Sequence, residues 1–148
     1  MSNAYTNANT IEREHLIALA NRLTDDQLSH PLRSGWTVAG IFAHLAWWDL
    51  RGLTLLRKWK AEGISPSPID IDITNEVTRH LCVAMEPRKA VHMAIDAAVE
   101  IDQEIDQLDP AMLQNVATIG TTVHLDRASH RWDHLTKIER ALSLPAAE

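Results

Sequence analysis

The sequence predicts an all-α protein, a four-helix bundle, and three observations carry that reading. Apolar residues recur at helical spacing in several long stretches, no segment alternates with period two for long enough to be a strand, and the cap and breaker residues fall between the stretches. A chain of 148 residues suits one domain, and 45% hydrophobic residues with only 5 Gly and 6 Pro exclude a disordered or collagen-like chain. The expected organisation is a flexible tail over residues 1–9, a bundle over 10–143 and a short tail over 144–148.

The first helix is expected over residues 10–23, where Asn9 and Glu12 resemble a capping box and Ile11, His15, Leu16, Leu19 and Leu23 recur near helical spacing. Thr24-Asp25-Asp26-Gln27-Leu28 reads as a short capped turn before Pro31. Thr37 is a good N-cap for the second helix, over 38–61 and closing near Gly63, which carries the longest apolar stripe. After the surface loop Ser65-Pro66-Ser67-Pro68, residues 71–85 read as a helix with Asn75, Glu76 and Arg79 on its wet side. Pro87 suits the first turn of a further helix over 87–108, in which Val91, Ile95, Ala98, Ile101, Ile105 and Leu108 keep the spacing until Asp109-Pro110 ends it. Thr121 or Thr122 is expected to cap the last helix, over 123–142 and ahead of Pro145.

Charge and composition narrow the function. Lys and Arg number 14 against 20 Asp and Glu, a net −6 that argues against a nucleic-acid surface. No apolar run reaches the roughly 18 residues of a membrane span, and the N-terminus lacks the layout of a signal peptide, so a cytoplasmic protein without a membrane partner is expected. The lone Cys82 permits no intramolecular disulfide and reads as a small buried hydrophobe. A small-molecule partner is the expectation that survives. The unusual residues are 8 His, and 5 Trp against one Phe and one Tyr, so function is sought there.

His130 and His134 lie four apart, roughly 40° from one another on a helix, and can present two imidazoles to one ion. Eight histidines supply about 0.4 such pairs by chance, so the pair alone is weak evidence. It gains weight because Val123, Ile138 and Ala141 fall in the same sector, at the edge of the buried face. His44, within about 60° of Ile41, Trp48 and Leu55 on its own helix, is the candidate third ligand. Three neutral His with solvent in the open position suit a catalytic metal; the other reading is three histidines bonded to backbone or to carboxylates such as Asp49.

Residues 35–49 (Gly-Trp-Thr-Val-Ala-Gly-Ile-Phe-Ala-His-Leu-Ala-Trp-Trp-Asp) and 130–138 (His-Arg-Trp-Asp-His-Leu-Thr-Lys-Ile), with Asp72-Ile73-Thr74-Asn75 between them, resemble the signature regions of the DinB/YfiT-like superfamily. The resemblance extends over about residues 10–143. It implies one ligand from the second helix and two from the last, which map onto His44, His130 and His134, and a divalent metal: zinc first, with nickel and iron also represented. Activities in the family include mycothiol-dependent maleylpyruvate isomerases, bacillithiol-dependent S-transferases and a colibactin-resistance hydrolase group. The resemblance therefore implies a metal-dependent thiol S-transferase or related hydrolase acting on a small electrophile, a low-molecular-weight thiol as co-substrate, and a homodimer. No residue identifies the thiol or a carboxylate general base. A non-catalytic bundle that sequesters a small molecule, and an ion that only ties helices together, stay open beside it.

Arg127 and Arg131 either hold an anionic substrate carboxylate or form ion pairs with acids such as Asp49. Trp48 is expected to line a pocket, Trp47 to mark a subunit contact, and the other tryptophans mostly to pack in the core. His124 precedes His130 by six residues, about 9 Å along the axis and roughly 120° around it, so it is not expected at the same ion. His15, His30, His80 and His92 read as ordinary surface or core residues. Glu12-x-x-His15 is the sole Glu-x-x-His match, too few for a ferritin-like di-iron site.

Overall fold

The computed structural model describes residues 2–119 and 123–145. In them Thr6–Arg22 (α1), Asp25–Leu28 (α2), Val38–Glu62 (α3), Ile71–Ala84 (α4), Pro87–Asp106 (α5), Pro110–Thr118 (α6) and Ala128–Ala141 (α7) are helical, with a 3-10 turn at Arg33–Gly35. The described residues form no strand, and none of their helices is long and apolar enough to cross a membrane.

Several boundaries follow directly from cap chemistry. Thr24 and Gln27 form a reciprocal capping box on α2, and Thr37 accepts from the Gly40 N–H at 2.9 Å to open α3. That helix ends at Gly63, whose φ of 92° suits a residue without Cβ. Asp70 accepts from Ile73 N at 3.0 Å at the start of α4, and Pro87 occupies the first turn of α5.

Five expectations need correction. The N-terminal tail ends before residue 9: Thr6 Oγ1 accepts from Asn3 N at 2.9 Å and donates to Asp106 Oδ1 at 2.7 Å, so α1 starts at Thr6 against the end of α5. Asn9 is then a buried side chain inside α1 rather than its cap. Asp109 and Pro110 do end α5, but Asp109 also accepts from Met112 N at 2.8 Å and begins α6, a helix absent from the sequence reading. The last helix begins at Ala128, not at 123; Val123 and Leu125 run into the core as irregular chain, and Thr121 and Thr122 lie outside the described residues. At the C-terminus Leu144 packs on the core and its N–H donates to Glu139 O at 2.8 Å, so residue 144 belongs to the bundle.

Helices α1, α3, α5 and α7 surround the core, and α4 lies along α3. The apolar interior is in two parts. One contains Leu16, Phe42, Leu45, Ala94, Leu135 and Ile138; the other contains Leu53, Leu56, Trp59, Ile101, Ile105 and Val116. Along α3 Asp49 sits between them, and Arg131 of α7 links it to Asp102 of α5, which lies between Ile101 and Ile105; all three are at most 2% exposed. A buried polar layer therefore divides the core.

Candidate metal centre

His44 lies in the first half of α3, with its neighbours Ile41, Phe42, Ala43 and Leu45 packed in the core. The α7 register brings His130 and His134 to it. Ring centroids are 5.2 Å apart for His44 and His130, 4.8 Å for His44 and His134, and 4.9 Å for His130 and His134. One potential ligand atom from each lies within 4.8 Å of the other two. Among the described residues this is the group able to hold a metal ion. The cluster is consistent with a divalent metal site.

Two further observations fit an ion here. Metal ligation needs neutral imidazoles. Burial, reinforced by the neighbouring His134, pushes His44 down to about 3. Burial pushes His130 down to about 2, with His134 and Arg127 adding to it, and burial lowers His134 too. The buried Nδ1 of His44 has no hydrogen-bond partner among the described residues, and the closest polar contact in the cluster is His44 Nε2 to His130 Nε2 at 3.2 Å. Carboxylates are not the neighbours that satisfy these rings; Asp49 is bound elsewhere.

The three rings open onto a cavity of about 1190 Å³. Trp36 meets His44 edge-on at 5.3 Å between centroids, and Trp48 stands on the same wall with its Nε1–H donated to Asn75 Oδ1 at 2.9 Å. Asn75, expected on the wet side of α4, is half-buried for this reason. Arg33, Arg127, Lys137 and Arg140 line the cavity with a single acid, Asp126, in a chain that is acidic as a whole. His124 also lines it and does not join the cluster, but it precedes α7 in irregular chain, so the helical offset from His130 expected for it does not apply. His15 is held between Glu12 at 2.8 Å and Glu139 at 3.0 Å, on the other side of α7. Trp59 is buried, whereas Trp132 is exposed.

Arg127 and Arg131 flank the paired histidines in sequence and turn inward. Arg127 Nε donates to Asp49 Oδ1 at 2.8 Å, and its Nη2 lies 2.8 Å from the same oxygen without a directed hydrogen bond. Arg131 reaches Asp49 Oδ2 at 3.3 Å and both oxygens of Asp102, at 3.0 and 2.8 Å; Arg13 closes the network on Asp102 at 2.6 Å. Burial disfavours the Arg131 charge, but Asp49 and Asp102 hold its guanidinium above the ordinary value. Asn9 supplies the other tie. Its Oδ1 accepts from Arg127 N at 2.9 Å and Ala128 N at 3.0 Å, and its Nδ2 donates to Leu125 O at 2.9 Å.

The sequence reading missed Asp102 and the role of Asn9. Asp102 had a readable signal, since it shares the buried face of α5 with Ala98 and Ile105. Asn9 had none, because its partners are more than a hundred residues away.

No curated protein and no solved structure matches the chain. Residues 8–138 match the DinB superfamily, a stretch that takes in α3 and the part of α7 that carries His130 and His134. Most of the chain, including every member of the histidine cluster, is thus covered by one family, and the chain belongs to the DinB superfamily.

Proposed function

We propose that the protein is a divalent-metal-dependent enzyme, a thiol S-transferase or related hydrolase acting on a small electrophile, with His44, His130 and His134 as the metal ligands. The observation that carries this reading is the convergence of three neutral imidazoles from two helices at the wall of a cavity large enough for a small-molecule substrate. Three His ligands leave a coordination position for solvent or substrate, as catalytic zinc sites do, and zinc is the first choice, with nickel or iron as alternatives. When bound, the ion would lower the pKa of a coordinated water or of a low-molecular-weight thiol. The chain's own residues supply binding. Trp36 and Trp48 offer flat faces to the apolar part of the substrate. Arg127, on the cavity wall, anchors an anionic group, with Arg33, Lys137 and Arg140 favouring the same charge. The proposal includes a cytoplasmic location and a homodimer.

A non-catalytic role in sequestering a small apolar compound is the second reading, favoured by the breadth of the cavity. The test is metal content per chain for protein purified without added metal, beside the triple variant His44→Ala, His130→Ala, His134→Ala. About one equivalent in the wild type, lost in a folded variant, is the expected result, followed by a metal-dependent thiol-transfer signal. Metal-free wild type that also fails to take up zinc, nickel or iron sinks the reading. Ligand binding unchanged in the triple variant favours sequestration.

A further inference from the structure

The three histidines sit on two helices that scarcely pack on one another. Helix α3 packs mainly on α5 and α4, and α7 mainly on α1. Apolar packing between α3 and α7 therefore does little to set the distance from His44 to His130 and His134. What joins these helices is the polar layer. Asp49, five residues after His44 on α3, bonds Arg127, the N-cap residue of α7 three before His130, and Arg131 within α7, one after it. The first apolar cluster does include residues of both helices, Phe42 and Leu45 of α3 with Leu135 and Ile138 of α7, but the direct α3–α7 contact is slight, and the polar layer is what bonds the two helices side chain to side chain.

We propose that Asp49 is the positioning residue of the histidine centre: its carboxylate clamps the guanidiniums of Arg127, at the N-cap of α7, and of Arg131 within it, and thereby sets the seat of His130 and His134 against His44. The inference rests on the proposed metal centre for its consequence, but the positioning itself is a property of the metal-free chain. Burying charge is a poor way to gain stability, because the desolvation penalty offsets most of the Coulomb attraction. It is an effective way to select one register, because a shifted helix leaves buried charges unpaired. Here each carboxylate oxygen of Asp49 has its own arginine, Oδ1 with Arg127 and Oδ2 with Arg131. Rotation or sliding of α7 breaks both contacts. Asp102 serves as the control: equally buried and bonded to the same Arg131, it belongs to α5 and ties α7 to a helix that carries no ligand.

The experiment compares Asp49→Asn with Asp102→Asn in two arms. In metal-free protein, ring-proton NOEs from His44 to His130 and His134 are read; in the second arm, cobalt and zinc affinities are measured by chelator competition, with the cobalt absorption spectrum. Asp49→Asn is expected to lose the NOEs, weaken metal binding by about 10- to 100-fold and change the cobalt spectrum. Asp102→Asn is expected to lower the melting temperature while keeping the NOEs and binding metal within about threefold of wild type, since its contacts end on a helix without a ligand. Should Asp49→Asn fail to fold, Arg127→Gln removes one arm of the clamp, and an intermediate loss in both readouts is expected. NOEs and affinity retained in a folded Asp49→Asn or Arg127→Gln, or lost equally in Asp102→Asn, overturn the proposal. A wild type that binds no metal yet loses the NOEs on Asp49→Asn refutes the metal centre and leaves the positioning role standing.

Discussion

At the residue scale, the cluster is defined by histidines kept neutral. His44, at about 3, and His130, at about 2, are pushed far below an ordinary imidazole, first by burial. The unfolded chain, whose histidines titrate near 6.5, therefore binds more protons than the native state once pH falls below that value, and stability must fall with pH. Metal-free protein is expected to lose stability progressively from about pH 6.5 towards pH 3, and His130→Gln to lose less of it between about pH 6 and 4.5, above the range where carboxylates titrate. Urea denaturation at stepped pH measures this; equal slopes for wild type and His130→Gln in that window would contradict it. These three positions were legible in the sequence because ligand chemistry restricts residue type, and the pair His130 and His134 shares one helix face. Arg127 was legible only as a choice between two roles. Its bond to Asp49 fulfils the ion-pair role, while its place on the cavity wall keeps the anion anchor as a proposal.

At the element scale, α7 is the helix on which the site depends, and its first turn is capped from another helix. Two N–H groups, those of Arg127 and Ala128, and the carbonyl of Leu125 all end on the Asn9 side chain, which is 1% exposed. Asn9→Ala leaves them buried and unpaired, an expected cost of about 2–3 kcal/mol. Denaturant titration measures the total, and amide exchange should quicken first around residues 127–128; a loss below about 0.5 kcal/mol would show that water replaces the side chain without penalty. The sequence located most helices because caps and periodicity act within a few residues, as at Thr24, Thr37 and Pro87. It misplaced the starts of α1 and α7 for the same reason in reverse. Asn9 has the composition of a local cap, and only the packing of α1 on α7 shows what it caps.

At the scale of the whole molecule, the exposed apolar stripe lies on α4. The stripe of α3 is largely consumed by the core, while Ile73, Val77 and Leu81 of α4 stand 61%, 59% and 68% exposed at intervals of four residues. The reason is that Trp48 draws Asn75 inward and the loop at Gly35 sits against Arg79, which turns the apolar side of α4 outward. For the proposed homodimer, two α4 helices crossing antiparallel at Val77 would set Ile73 against Leu81 and bring Asp70, Asp72 and Glu76 towards Arg79, His80 and Arg88 of the second copy. Leu81→Lys with Val77→Lys is then expected to convert a dimer to a monomer in sedimentation equilibrium without loss of helix. Wild type that is monomeric at tens of micromolar would remove the dimer from the proposal.

Sequence alone determined the all-α class, the family, the three histidines and the cavity tryptophan at position 48, because hydrophobic period, cap chemistry and ligand chemistry are written in short stretches of residues. Tertiary structure decided the rest: that Asn9 caps α7, that Asp49 and Asp102 pair with Arg127 and Arg131 in a layer through the core, and that α4 shows its apolar side to solvent. Each of these depends on which helix stands beside which. A polar side chain on an apolar face announces that it needs a partner, but the partner is chosen by packing across the bundle, where sequence separation carries no information.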